Sequence, residues 1–132
     1  DTFSKAFDAT VKKYDSIDVP IHLISQHPHQ NYSPEYAYFM IAKGRGSIDD
    51  FSVKRSNFEK LNEIPINTFS NYENEITVYD ITSLFCDDLL CPIGTQIKSF
   101  YYDDDHLSEY GALKLSDTIE SIFLNDISYL PD

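Results

Sequence analysis

The sequence predicts an α/β sandwich built on a mostly parallel sheet, and three observations carry that expectation. A 132-residue chain with 42% hydrophobic and 14% aromatic residues can fill one core and is too short for two domains. Its apolar residues recur at helical spacing in some segments and in continuous strand-length runs in others. The two kinds of segment alternate along the chain, the order that joins parallel strands through crossovers.

Taken in order, Phe3, Phe7, Val11 and Tyr14 set one stripe on a first helix that stops near Asp15 and Ser16. Residues 19–25 are a continuous apolar run, the signature of a buried parallel strand. Residues 26–46 hold Pro28, Pro34 and several aromatics with little periodicity, and read mostly as loop. Ser47 then opens a second helix with Phe51, Phe58 and Leu61 inward and Ile48 and Val53 nearby, ended by Pro65. Residues 76–81 form a second strand and residues 97–102 a short third one. The last helix covers residues 109–124, with Ala112, Leu115, Ile119, Ile122 and Phe123 on its buried face. The chain opens directly on its first helix, which predicts a piece of a longer polypeptide lacking the first strands of the sheet.

The net charge of −12 argues against a nucleic-acid surface, because phosphates are met by clustered Lys and Arg. It disfavours anionic lipid for the same reason and leaves a neutral glycan open. No apolar run reaches the ~20 residues needed to span a bilayer. Cys86 and Cys91 are separated by four residues, compatible with a small disulfide-closed loop and equally with two reduced thiols. A zinc site would need two more ligands from far away.

The chemistry is concentrated at Asp103-Asp104-Asp105-His106-Leu107-Ser108, between the third strand and the last helix. An Asp three residues before a His can hold one ring nitrogen and fix the tautomer, leaving the other as a general base near neutral pH. The alternative is a solvated acidic turn with an incidental histidine. Asp104 and Asp105 could bind a metal with other carboxylates, but no calcium-loop spacing is present. Ser108 is a natural N-cap, Gly111 permits a close approach, and Leu107 can pack back onto Ala112. His22 sits within the first strand as a core or edge histidine. His27 and His29 lie just past that strand's carboxyl end, where open α/β sheets bind ligands; a mobile loop explains them as well. Gly44-Arg45-Gly46-Ser47 lacks the lysine and preceding strand of a phosphate loop and reads as a turn, with Arg45 and Arg55 solvated. Tyr32, Tyr36 and Tyr38 suit sugar stacking and ordinary packing alike. No cofactor or metal is expected.

With these residues laid out, the chain resembles the carboxyl-terminal part of an SGNH-type esterase domain. More closely, it is similar to the extracytoplasmic SGNH domain fused behind the membrane region of bacterial acyltransferase family 3 proteins. The resemblance rests on the closing block from Tyr102 to Ala112, on the Cys86 and Cys91 pair after Val78-Tyr79-Asp80, and on the helix, Pro-containing strand and Pro-rich loop of residues 3–34. It implies a flavodoxin-like three-layer fold of the SGNH hydrolase type, with residues 1–132 as the carboxyl-terminal portion of one domain. It assigns His106 as general base and Asp103 as its orienting carboxylate, and it makes the cysteine pair a disulfide. It further implies a serine-dependent acyl or acetyl transfer to an envelope carbohydrate such as lipopolysaccharide O-antigen. The acyl donor would come through the membrane acyltransferase region, on the periplasmic side of the inner membrane.

The family's Gly-Asp-Ser nucleophile block and its oxyanion-hole glycine and asparagine blocks are not found in the chain. The serine is therefore expected from the N-terminal half of the same domain, and these residues alone are expected to be inactive. The competing expectation is a non-catalytic carbohydrate-binding or scaffold domain that has lost the nucleophile. A flavodoxin-like phosphate binder ranks last, for want of a glycine-rich loop.

Overall fold

In the computed structural model, which describes residues 2–126, the first helix, α1 (Thr2–Asp15), forms where the aromatic stripe predicts it. Phe7 packs at 5.0 Å from Phe69 and 5.5 Å from Tyr72, ring centre to ring centre, and Val11 is buried. Polar links flank this face: Ser4 Oγ lies 2.8 Å from Thr68 Oγ1, and the Tyr72 hydroxyl donates to Asp8 Oδ1 at 2.9 Å. Lys12 and Lys13 in the last turn complement the helix dipole. Asp18, at φ 53°, turns the chain into β1 (Ile21–Ile24).

β1 pairs in parallel with β3 (Ile76–Tyr79), in a register that sets Ile21 opposite Ile76 and Ile24 opposite Tyr79. Ser25 N–H extends the ladder to Tyr79 C=O at 2.9 Å. Among the described residues this sheet has two strands. The predicted buried strand is instead half-covered, with Ile24 37% exposed and Val78 on the paired strand 40%, and among the described residues no third strand joins the pair. The predicted α/β character and parallel pairing are present; the rest of the sheet is small.

The connection between β1 and β3 departs most from the sequence reading. Residues predicted as loop contain α2 (Pro34–Ala42), with Ser33 as N-cap accepting from Tyr36 N–H at 3.4 Å and Pro34 in the first turn. The Gly44–Ser47 turn follows as expected, with Gly44 at φ 69° and Gly46 at φ 126°, and Asp50 Oδ2 accepts both the Ser47 N–H and hydroxyl at 2.8 Å. The predicted second helix is divided into a 3₁₀ turn (Asp49–Phe51), β2 (Val53–Lys54), α3 (Arg55–Leu61) and α4 (Glu63–Phe69). Pro65 does not end a helix. It is the third residue of α4, where its missing N–H would have had no intrahelical partner anyway. Phe58 is buried as expected, whereas Leu61 is 79% exposed.

β2 pairs antiparallel with β4 (Leu90–Cys91), and Cys86, just after α5 (Thr82–Phe85), is disulfide-bonded to Cys91. Asp87 Oδ1 closes the loop between them by accepting from Leu89 N–H at 2.8 Å and Leu90 N–H at 2.7 Å. The cross-link packs with Val53 and Phe58 in a small buried cluster. Replacing both cysteines with serine is expected to lower the unfolding free energy by roughly 2 kcal/mol, the loop-entropy value for so short a ring. The urea midpoint, with and without reductant for the unsubstituted chain, measures it.

Residues 97–102 are not a strand. They form a tight reversal with only two isolated bridges, Gly94 to Ser99 and Tyr101 to Leu107. Thr95 organises it by accepting Lys98 N–H on its hydroxyl at 3.1 Å. The β-branched and aromatic composition reflects packing, since Phe100 and Tyr101 are both in the main core with Ala37, Ile48, Phe51, Ile81, Phe85 and Ile93. The last helix is also interrupted, into α6 (Glu109–Ala112), a 3₁₀ turn (Leu113–Leu115) and α7 (Ser116–Asp126). Leu115 reaches the core, but Ala112 is exposed, Ile119 is 40% exposed and Phe123 65%, so the predicted buried stripe is largely uncovered.

Candidate functional site

Asp103 and His106 lie together on a turn rather than at a strand-to-helix junction. The turn is closed by Tyr102 N–H donating to His106 C=O at 2.7 Å. Inside it, Asp103 Oδ1 accepts the backbone N–H groups of Asp105 at 3.0 Å and His106 at 2.7 Å. An aspartate three residues before the histidine is well suited to this, because its short side chain satisfies the donors of the next turn. The same carboxylate holds the imidazole: His106 Nδ1 is 3.1 Å from Asp103 Oδ1 and 3.0 Å from Oδ2. Asp105 Oδ1 lies 2.8 Å from that nitrogen and acts on it first through its charge.

The electrostatics follow from these contacts. Asp103 is held down to about 2, first by the His106 and Asp105 N–H groups and then by the imidazole. His106 is raised above the ordinary histidine value, first by its hydrogen bond to Asp103 and then by the charges of Asp103 and Asp105. With Nδ1 donating to carboxylate, Nε2 is the atom left to take a proton, on a side chain 73% exposed. Asp103, Asp105 and His106 present ligand atoms within 4.8 Å of one another and could hold a cation, while Asp104 stands outside the set.

The turn is fastened at its far end by α6. Ser108 caps it, accepting Gly111 N–H at 3.1 Å and donating its own proton to Ser99 C=O at 2.9 Å. Ser108 N–H reaches Phe100 C=O at 2.9 Å. Gly111 is packed so closely on Phe100 that a β-carbon would lie 1.9 Å from its carbonyl oxygen. Leu107 packs into the core; Ala112, its expected staple partner, is exposed.

The segment beyond β1 comes to the same place. Pro28 and Gln30 are buried while His29 between them is exposed, so the loop is anchored rather than loose. The half-buried His27 ring lies 5.9 Å from Tyr101, 6.1 Å from Phe85 and 6.3 Å from His29. Burial pushes His27 below the ordinary value, and the charges of Asp105 and His106 both bear on it. His22 is elsewhere, with Nδ1 3.0 Å from the Tyr79 hydroxyl across the parallel pair. Tyr32 and Tyr36 stack on each other at 5.6 Å and meet the edge of Phe51, and Tyr38 donates to Thr95 C=O at 2.6 Å. Arg55 is engaged by Glu59 at 2.7 Å and by Asp87 C=O at 3.1 Å. Gln30, which no motif distinguishes, donates its backbone N–H to Asp104 C=O at 2.7 Å and is the site residue that sequence reasoning missed.

Two cavities border the loop after β1. One, of about 320 Å³, is lined by Gln26, His29, Asn31, Asn57 and Asn62 over a floor that includes Phe58, with no Asp, Glu, Lys or Arg. The other, of about 440 Å³, is apolar and runs between β1, β3 and the α1 and α4 side chains Phe3, Ile66 and Phe69. Among the described residues no hydroxyl or thiol side chain is hydrogen-bonded to His106, and no helix is long and apolar enough to cross a membrane.

No curated protein and no solved structure matches the chain. The family model of the SGNH domain fused to AT3 domains matches residues 1–121, a span that holds both cysteines, the anchored histidine loop and the Asp103 and His106 pair. The chain therefore belongs to the family of SGNH domains fused to AT3 domains.

Proposed function

We propose that this chain is the carboxyl-terminal portion of a serine-dependent O-acyltransferase domain acting on an envelope carbohydrate. The observation that carries the reading is the His106 imidazole with Nδ1 held by Asp103 at 3.0 Å, which leaves Nε2 to act as a base. In this reading Nε2 takes the proton of a serine hydroxyl supplied by the N-terminal half of the same domain. The serine oxygen bonds to the acyl carbonyl carbon, and the donor's leaving group departs with the proton returned by His106. A sugar hydroxyl then repeats the cycle in reverse, gaining the acyl group as its proton passes to His106 and on to the departing serine. Asp103 stabilises the imidazolium in both halves.

The apolar cavity and the open two-stranded sheet support a missing half, since a parallel pair this short needs more strands and a covering layer to be stable. The completed domain would be the flavodoxin-like three-layer sandwich. The uncharged cavity at His29 supports a neutral glycan as acceptor: amide side chains over an apolar floor suit hydroxyl groups, on a chain that otherwise carries −12. Membership of a family fused to AT3 domains supports delivery of the acyl donor through that membrane region, with this domain on the periplasmic face. The test is acid quenching of the full-length polypeptide during turnover with an acyl donor, followed by peptide mass spectrometry. An acylated serine outside these residues supports the reading, whereas its absence, with glycan binding retained, favours a non-catalytic carbohydrate-binding module.

A further inference from the structure

We propose that Gln30 is a positioning residue that clamps the turn bearing His106 to the disulfide-closed segment; this rests on the reading of His106 as the base. Gln30 is 5% exposed and holds two separate parts of the chain. Its side-chain Nε2 donates to Cys91 C=O at 3.2 Å, and its backbone N–H donates to Asp104 C=O at 2.7 Å. Cys91 is a rigid post: it is fully buried, disulfide-bonded to Cys86 and paired with Val53 across β2 and β4.

The remaining hydrogen bonds described within residues 102–106 are internal to the turn, made by Asp103 and by Tyr102 N–H. Gln30 is thus what ties that turn to the body of the molecule between its flanking residues. Its own approach is set by the fully buried Pro28 two residues earlier. Gln30 Oε1 and the Tyr101 hydroxyl are both buried, and the Gln30 side chain bears on that hydroxyl. A base must be placed within a fraction of an ångström of the proton it takes, so the tie to the middle of a turn whose ends are fixed at Tyr101 and Leu107 bears on that placement.

Gln30→Met in the full-length chain keeps the volume and removes the amide. The expected result is a fall in the His106 titration midpoint, read by NMR, towards the ordinary histidine value. The amides of residues 103–106 should also exchange about 10-fold faster than in the unsubstituted protein. Val11→Ala, which destabilises α1 far from this turn, is expected to leave the His106 midpoint in place. In the unsubstituted chain the Gln30 amide itself should exchange as slowly as the core amides, a measurement that needs no variant to fold. An unchanged midpoint in folded Gln30→Met, an equal shift in Val11→Ala, or a Gln30 amide exchanging like an exposed loop overturns the proposal. None of these readouts involves acyl transfer, so failure of the base assignment would show separately, as retained activity in His106→Ala.

Discussion

His106→Ala in the full-length polypeptide should lower the rate of glycan O-acylation by about 10²- to 10⁴-fold, the usual contribution of a general base. The fold should survive, because the imidazole is exposed and packs against nothing that would be left empty. Transfer of labelled acyl groups to glycan, alongside a denaturation curve, separates the two effects. Unchanged transfer would remove His106 from the mechanism. The pH profile adds a second check with a definite sign. A base works when neutral, so a raised midpoint places the rising limb of the rate above the ordinary histidine pKa. Asp103→Asn removes the charge and weakens the hydrogen bond that raise it, so the limb should move to lower pH while the plateau rate falls. The same pair contributes to holding the turn. The Asp103 contribution is present above its ordinary 3.8 and is lost as pH falls towards about 2, whereas the His106 contribution is present at low pH and is lost as pH rises through its raised midpoint. The turn is therefore tightest between those limits. Both groups are solvent-exposed, so the effect on global stability should be small.

Gly111→Ala should be the most destabilising single substitution in the site, at more than about 4 kcal/mol, or should prevent folding outright. The new β-carbon would sit 1.9 Å from the Phe100 carbonyl oxygen, 2.8 Å from its carbonyl carbon and 3.1 Å from its Cα. These are backbone atoms that cannot swing aside, and the same carbonyl already accepts Ser108 N–H. The clash would push α6 away from Phe100, remove the Ser108 cap and release the turn that carries His106. Gly44→Ala makes the contrast. At φ 69° with nothing within 4 Å, it should cost only about 1–2 kcal/mol of backbone strain. Equal urea midpoints for the two variants would show that the close approach at Gly111 does not matter.

The sequence by itself was enough to find the family and to single out the Asp103 and His106 pair. The spacing of Asp103 and His106 is a local matter: a carboxylate can accept the N–H groups two and three residues ahead and reach the imidazole on the same turn, whatever surrounds it. The first helix, the two parallel strands and the Ser108 cap were legible for the same reason, since periodicity and capping act over a few residues. The cysteine pairing became readable only through the family resemblance, because spacing alone allowed reduced thiols equally. Tertiary structure decided everything that depends on distant partners. Phe100 and Tyr101 look like strand residues but are aromatic for the sake of a core shared with α2, so the segment is a reversal. Pro34 and Pro65 look like breakers and instead lie in first turns, where no N–H is needed. Gln30 carries no motif at all. It became part of the site only when folding set Cys91 and Asp104 on either side of it, because a buried amide is specified by the groups it must satisfy and not by its neighbours in the chain.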